Sequence, residues 1–318
     1  MKTASPMARA RYTVEHETLY TYTAPVSQSW QLARLKPREL PWQRLLGYAL
    51  SIDPEADESH EDVDSFGNTV THFGLHRAHR LLRVTLRCVV EVGERPAVVV
   101  PEGDGAAGAV ALAAESWEAV RDSVRRQPGQ DGLAPARLSE PTRLLPLSDA
   151  AHAYAAAHLV AGRDWLQALT ALMRAIHRDF KFKPGATTVS TSVDEVLQQR
   201  SGVCQDFAHL MLACLRSHGL PARYVSGYLL TRPPPGRARL LGVDATHAWV
   251  AAYSPRHGWV EFDPTNDQYP DACYITLAWG ADFADVVPLR GVMIGGGEQS
   301  LDVSVSVIPE CEELAASS

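Results

Sequence analysis

Two hydrophobic rhythms run along this chain, and the change from one to the other divides it. Over roughly the first hundred residues the apolar positions suit strands. Arg11-Tyr-Thr-Val-Glu-His-Glu-Thr-Leu-Tyr-Thr-Tyr22 is rich in Thr, Val and Tyr, side chains that fit a pleated surface. Asp64-Ser-Phe-Gly67-Asn68 has turn chemistry and leads into the strand candidate Thr69-Val-Thr-His-Phe73, and Leu82 to Val92 is a further apolar strand candidate. Residues 1–100 are therefore expected to form a β-rich N-terminal domain. Residues 101–148 read as a linker with an irregular or helical continuation: the 101–110 stretch is Gly- and Ala-rich, and Pro128, Pro135, Pro141 and Pro146 limit helix length.

Helical periodicity takes over from Asp149 to about His177, with a break at Gly162 and Asp164 as N-cap. A short helix is expected from Ser192 to Arg200, opened by Thr191 or Ser192 together with Asp194 and Glu195. After Gly202 the apolar residues Phe207, Leu210, Met211, Cys214 and Leu215 again fall at helical spacing, until Gly219-Leu-Pro221 stops them. Ala222 to Leu230 reads as a strand. The basic, Pro-rich stretch 231–240 is a candidate rim or lid, and a hairpin follows over His247–Tyr253 and Trp259–Asp263. Residues 149–290 make up the second domain, and 291–318 a C-terminal strand and tail, in which Leu301, Val303, Val305 and Val307 alternate with polar residues.

Cys204 stands at the predicted start of a helix, where unpaired N–H groups and the positive dipole end favour a thiolate. The hairpin supplies what such a sulfur needs. Side chains alternate along a strand, so His247, Trp249, Ala251 and Tyr253 share a face. An odd-length loop brings Asp263 onto that face. Three loop residues would set it opposite His247, and five would set it diagonal, about 7–8 Å away by Cβ and within side-chain reach. The expected arrangement is odd: Cys204 as nucleophile, His247 carrying its proton, and Asp263 orienting the ring. The Cys204 backbone N–H is the natural oxyanion donor, with Gln198, Gln199 or the Trp165 indole as open choices for a second.

These segments resemble a known family. Ser201-Gly-Val-Cys-Gln-Asp-Phe-Ala-His-Leu210, Gly219-Leu-Pro-Ala-Arg-Tyr-Val-Ser-Gly-Tyr228, Thr246-His-Ala-Trp-Val250 and Gly258-Trp-Val-Glu-Phe-Asp-Pro-Thr-Asn266 are similar to the bacterial transglutaminase-like superfamily. The resemblance covers about residues 165–290. It implies an α+β fold, a papain-like transglutaminase core preceded by a β-rich domain, and a Cys-His-Asp triad on Cys204, His247 and Asp263. Tyr20-Thr-Tyr22, Pro25-Val26, Arg34-Leu-Lys-Pro-Arg38 and Asp64-Ser-Phe-Gly-Asn68 resemble the N-terminal domain of one bacterial subgroup, as does the segment from Lys183 to Thr191. The chain departs from that subgroup at Ala281-Asp282-Phe283, where Arg-Asp-Tyr is usual.

Composition narrows the reading. At 318 residues, with 46% apolar and 21% charged residues, the chain can bury about three quarters of its unfolded surface. A net charge of −7 argues against nucleic acid as partner, and no apolar run reaches the roughly 18–20 residues of a membrane span. Met1 to Pro25 lacks the apolar core of a secretory signal, and five widely spaced cysteines suit reduced thiols, so a cytoplasmic location is expected. No cofactor is called for: His72, His76 and His79 lack a supporting ligand pattern, and no acidic loop has calcium-binding spacing. His209 and Asp206 read as structural, and Cys214 as core.

The expected activity is acyl transfer from a carboxamide or peptide bond through a Cys thioester, with hydrolysis (protease or amidase) ahead of transfer to an amine. The expected partner is a peptide or protein carboxamide substrate. A dormant peptide-binding or scaffold protein with the same fold is the alternative. A thiol-redox role would need a resolving cysteine, and Cys214 lies about 15 Å along the helix from Cys204.

Overall fold

The computed structural model describes residues 9–96, 115–126, 135–230 and 246–310; the 101–110 connection and the 231–240 rim lie outside the described residues. The fold is α+β. Its first part is a seven-stranded sheet built from β1 (Ala10–Ala33), β2 (Gln43–Asp53), β3 (Glu58–Val63), β4 (Thr69–Leu75) and β5 (His79–Val92), in the order β2-β5-β1-β4-β3. The other two strands come from the far end of the chain, β12 (Leu289–Gly295) and β13 (Gln299–Pro309), and both pair with β1.

β1 can be this long because it changes register partway. Pairing with β5 slips between Thr21 and Val26, where Pro25 could not serve a ladder, and pairing with β12 slips between Val26 and Gln28. Before these irregularities even positions are buried (Tyr12, Val14, His16, Thr18); after them odd ones are (Ser29, Gln31, Ala33). The first half thus pairs with β5 and β13, the second with β4 and β12. The turn before β4 needs Gly67 at φ 74°, and Asp64 Oδ1 accepts the Phe66 and Asn68 N–H groups.

The second part is helical, then a second sheet. Among its described residues, the proline-punctuated connection carries a ten-residue helix, α1 (Trp117–Arg126). Next come α2 (Asp149–Ala156) and α3 (Trp165–Asp179), whose N-cap Asp164 accepts the Gln167 N–H. β6 (Lys181–Phe182) pairs in parallel with β7 (Ser201–Gly202), and between them lies α4 (Val193–Gln199). Ser192 and Glu195 close a reciprocal capping box on α4, a device worth about 1 kcal/mol. α5 (Cys204–Ser217) is followed by β8 (Ala222–Leu229), β9 (Thr246–Ser254), β10 (Gly258–Phe262) and β11 (Tyr274–Gly280), an antiparallel sheet in the order β10-β9-β8-β11. α5 is the hub: Phe207, Leu210, Met211, Cys214 and Leu215 are buried together with Tyr224, Tyr228, Val250 and Ala252 of the sheet. The opposite sheet face holds a smaller cluster of Val225, Trp249, Ala251 and Tyr274.

The two parts are locked along β11. Gln43 Nε2 donates to the Thr276 carbonyl at 2.8 Å and Gln43 Oε1 accepts its N–H at 2.8 Å. Asn68 repeats the pattern on Trp279, donating at 2.8 Å and accepting at 3.0 Å. Each carboxamide takes the place of a peptide group in a neighbouring strand, so the edge of the second sheet is satisfied by side chains of the first. Arg95, just after β5, adds a buried ion pair to Glu261 on β10 and donates to the carbonyls of Asp271 and Tyr274.

Candidate functional site

Cys204 opens α5, and its surroundings explain why the helix starts there. Gly202 is tightly packed: a Cβ on it would sit 2.6 Å from Asp206 Oδ2. That same carboxylate oxygen accepts the Val203 N–H at 2.7 Å and the Thr187 hydroxyl at 2.6 Å. Burial pushes the Asp206 carboxyl up, against the pull of both bonds. Asp206 is thus occupied in holding the turn that presents the sulfur. Cys204 itself is half-buried, whereas Cys88 and Cys214 are sealed in the core, where burial pushes the Cys88 thiol up to about 12 and Cys214 further in the same direction.

The hairpin delivers the other two groups. β9 and β10 pair one residue further out than the expected strand ends, Ser254 with Gly258, so the connection 255–257 has three residues. Tyr253 then pairs with Trp259 and Val250 with Phe262, a register two residues away from the one that would set Asp263 directly opposite His247. Asp263, one residue past β10, falls on the His247 face and diagonal to it. The gap is closed by side chains: His247 Nε2 donates to Asp263 Oδ2 at 2.7 Å. With Nε2 engaged, Nδ1 is the nitrogen left for the Cys204 thiol, whose hydrogen bond to the ring is among the interactions favouring its charged form. The structure thus brings together the three residues that the sequence singles out.

Electrostatically the pair is strongly polarised. Burial alone would push His247 down, but the Asp263 bond and the Cys204 side chain raise it to about 10. Burial opposes ionisation of Asp263 too, and is overcome by His247, Tyr274 and Asn266, which hold its carboxyl below the ordinary range. Asp263 is fully buried yet densely solvated by protein. Oδ1 accepts the Thr265 and Asn266 N–H groups at 2.8 and 3.3 Å. Oδ2 accepts Asn266 Nδ2 at 2.7 Å and the Tyr274 hydroxyl at 2.5 Å besides His247.

Asn266 stood in the motif without a role, and Tyr274 carried no sequence signal, since it reaches Asp263 through a loop and from another strand. The His247 ring also stacks on Trp249, centroids 6.1 Å apart, and Trp249 meets Tyr274 edge-on at 5.3 Å. Trp249 therefore backs the imidazole. Trp259 does not: it lies at the hairpin-turn end, against Tyr253 and over the Arg223 guanidinium at 4.2 Å.

The choices for a second oxyanion donor find no support. Trp165 is buried against His257 in the hairpin turn and Phe262, at the opposite end of β9 from His247, and Gln198 and Gln199 are exposed at the end of α4. His209 is structural: its Nε2 accepts the Phe283 N–H at 3.2 Å, and burial pushes the ring down to about 4. That contact comes from the segment where the chain departs from its subgroup; Asp282 there caps a short turn by accepting the Ala284 N–H. His72, His76 and His79 decorate the first sheet separately: His72 stacks on His60, His76 lies 3.4 Å from Glu58, and His79 Nδ1 meets the Arg77 carbonyl.

Most of the chain is similar to known proteins. Residues 12–91 match the bacterial transglutaminase-like N-terminal region, and residues 149–264 match the transglutaminase-like superfamily. An uncharacterized protein of Mycobacterium tuberculosis is 40% identical over 304 residues, spanning 94% of this chain and 93% of that protein. A protein-glutamine gamma-glutamyltransferase of Pseudomonas aeruginosa is 38% identical over 110 residues, 33% of this chain and 16% of that one. Among solved structures, a Cytophaga hutchinsonii protein provisionally described as a cysteine protease shares the fold, with TM-score 0.72 and 19% identity across 97% of this chain and 93% of that one.

Proposed function

Because this chain belongs to the transglutaminase-like superfamily, with the N-terminal region of its bacterial members, we propose that it transfers acyl groups from carboxamide or peptide bonds through a thioester on Cys204. The observation that carries this reading is the convergence of Cys204 at a helix start with a His247 ring whose other nitrogen is held by buried Asp263.

The roles follow from the geometry. His247 takes the Cys204 proton on Nδ1, and the sulfur adds to the substrate carbonyl. The oxyanion faces the start of α5, where the Cys204 N–H has no intrahelical acceptor and the helix dipole favours negative charge. The C–N bond breaks as His247 returns the proton to the leaving amine or ammonia, which leaves a thioester. Water then adds with His247 again as base, the C–S bond breaks, and Cys204 recovers its proton. Asp263, dense with donors, stays an anion throughout: it fixes the tautomer and stabilises the imidazolium.

Hydrolysis is the preferred outcome, because water reaches any thioester that is not shielded from it. Transfer to an amine is the second reading, favoured by the Pseudomonas aeruginosa relative's name. Cys88, Cys204 and Cys214 form no disulfide, which accords with a reducing compartment, for which we propose the cytoplasm. The test is incubation with a glutamine-containing peptide, with and without a primary amine, read by mass spectrometry. An acyl adduct on the peptide that contains Cys204, and its loss in Cys204→Ala, are expected. Equal turnover by wild type and Cys204→Ala would remove the thioester, and no turnover by either would leave the scaffold alternative.

A further inference from the structure

We propose that Tyr274 is a positioning residue of this site, aiming the Asp263 carboxylate and, through it, the His247 ring toward Cys204; the proposal rests on the reading of Cys204 as nucleophile. Tyr274 is buried at the start of β11, and its hydroxyl lies 2.5 Å from Asp263 Oδ2 and 2.5 Å from Gln268 Nε2. A phenol has one proton to give, and an ionised carboxylate can only accept. The proton therefore points to Asp263, and Gln268 must donate its amide to the phenol oxygen. That fixes the hydroxyl in one direction, a relay running from Gln268 through Tyr274 to Asp263 and ending at His247.

The ring is held as firmly as the hydroxyl. It meets Trp249 edge-on at 5.3 Å and lies tilted against His247 at 5.9 Å, so it touches both the imidazole and the group that orients it. Its backbone pairs with Leu229 of β8, and its carbonyl accepts Arg95 Nη2 at 3.0 Å. The same arginine is ion-paired with Glu261, two residues before Asp263. Arg95 thus ties together β10, which leads into Asp263, and β11, which begins at Tyr274.

The hydroxyl should matter to the chemistry in a way that packing would not. With one donor fewer, the Asp263 carboxylate regains basicity and takes a proton at higher pH, so support for the imidazolium fails earlier on acidification. The full-length protein is treated with iodoacetamide across the acid and neutral range, and Cys204 alkylation is followed by peptide mapping, with melting temperature measured in parallel. Tyr274→Phe should move the acid limb of the Cys204 rate upward by roughly half to one pH unit. If Tyr274→Phe does not fold, Gln268→Leu keeps the phenol but frees its hydroxyl, and should shift the limb in the same direction by less.

A wild-type acid limb that neither variant moves, whatever happens to melting, overturns the proposal and leaves the Cys204 reading intact. A wild-type Cys204 that alkylates only in the alkaline range of an ordinary thiol overturns both.

Discussion

Gly227 on β8 lies directly across from His247 on β9, and only a residue without a side chain fits there. A Cβ at this position would come 2.0 Å from the Ile275 carbonyl oxygen and 2.5 Å from Trp249 Cη2. Trp249 is the ring on which the imidazole stacks, so the glycine makes room for the wall behind His247. Gly227→Ala should therefore cost about 1–3 kcal/mol of stability, as overpacking does, and lower activity by more than the stability loss explains. Urea unfolding and Cys204 alkylation measured on one preparation check it; an alanine variant with wild-type values on both would show that the wall is not needed.

His247 gives the fold a pH signature. Its charged form is favoured in the native state, up to about 10, against about 6.5 in an unfolded chain. This contribution to stability is complete below the unfolded value and is lost as pH rises through the folded one. The stability gap between wild type and His247→Gln should therefore shrink from neutral pH toward 10. In Cys204→Ala one of the groups that raise the ring is gone, and the imidazole should titrate lower than in wild type, as NMR of the ring protons would show. An unchanged titration would separate the sulfur from the ring.

Acid stability follows from two other histidines. His16 and His209 are both pushed down to about 4 by burial. Between that value and about 6.5 the unfolded chain binds protons that the native one refuses, so stability falls as pH falls through this window. The slope approaches about 2.7 kcal/mol per pH unit where both are protonated on unfolding. His16 also carries a bond between the two parts of the molecule, its Nδ1 lying 2.8 Å from the Tyr228 hydroxyl. Denaturant titrations at several pH values should show the slope, and His209→Gln should about halve it; a flat profile would contradict the assignment.

The seam along β11 gives a further expectation. Gln43→Ala leaves the Thr276 N–H of a buried strand edge without its partner, a cost of about 1–3 kcal/mol, and takes one of two donors from the Thr276 carbonyl, which still accepts the Arg38 N–H at 3.2 Å. Gln43→Leu should be no better, because shape cannot replace the two bonds. Chemical denaturation measures it, and a loss well under 1 kcal/mol would mean that other groups satisfy the edge.

What could be read from the sequence follows from how local each signal is. The Cys204 helix was legible in its apolar spacing. The His247–Asp263 pairing was legible because side chains on a strand alternate with period two, and an odd connection preserves the face. Ser192 with Glu195, and Asp164, announced their helix starts through capping chemistry within one turn. Tyr274 was not legible, since it meets Asp263 only after a loop folds back. Neither were the pairings of Gln43 with Thr276 and Asn68 with Trp279, which join positions 233 and 211 residues apart and follow no periodicity. The alternation from Leu301 to Val307 announced a strand, but nothing local said that its partner would be β1. β12 was missed because Leu289–Gly295 is mostly exposed and carries two glycines, a weak strand pattern.

The central claim, that Cys204 is activated by His247, is most directly tested by competitive iodoacetamide labelling of the native protein near neutral pH. Cys88 and Cys214, sealed in the core with thiols pushed up by burial, serve as internal references. Cys204 should alkylate at least tenfold faster than either. The advantage should largely disappear in His247→Ala and survive in part in Asp263→Asn, where the ring remains but its orientation is loosened. Labelling of Cys204 at the same rate in wild type and His247→Ala would contradict the account.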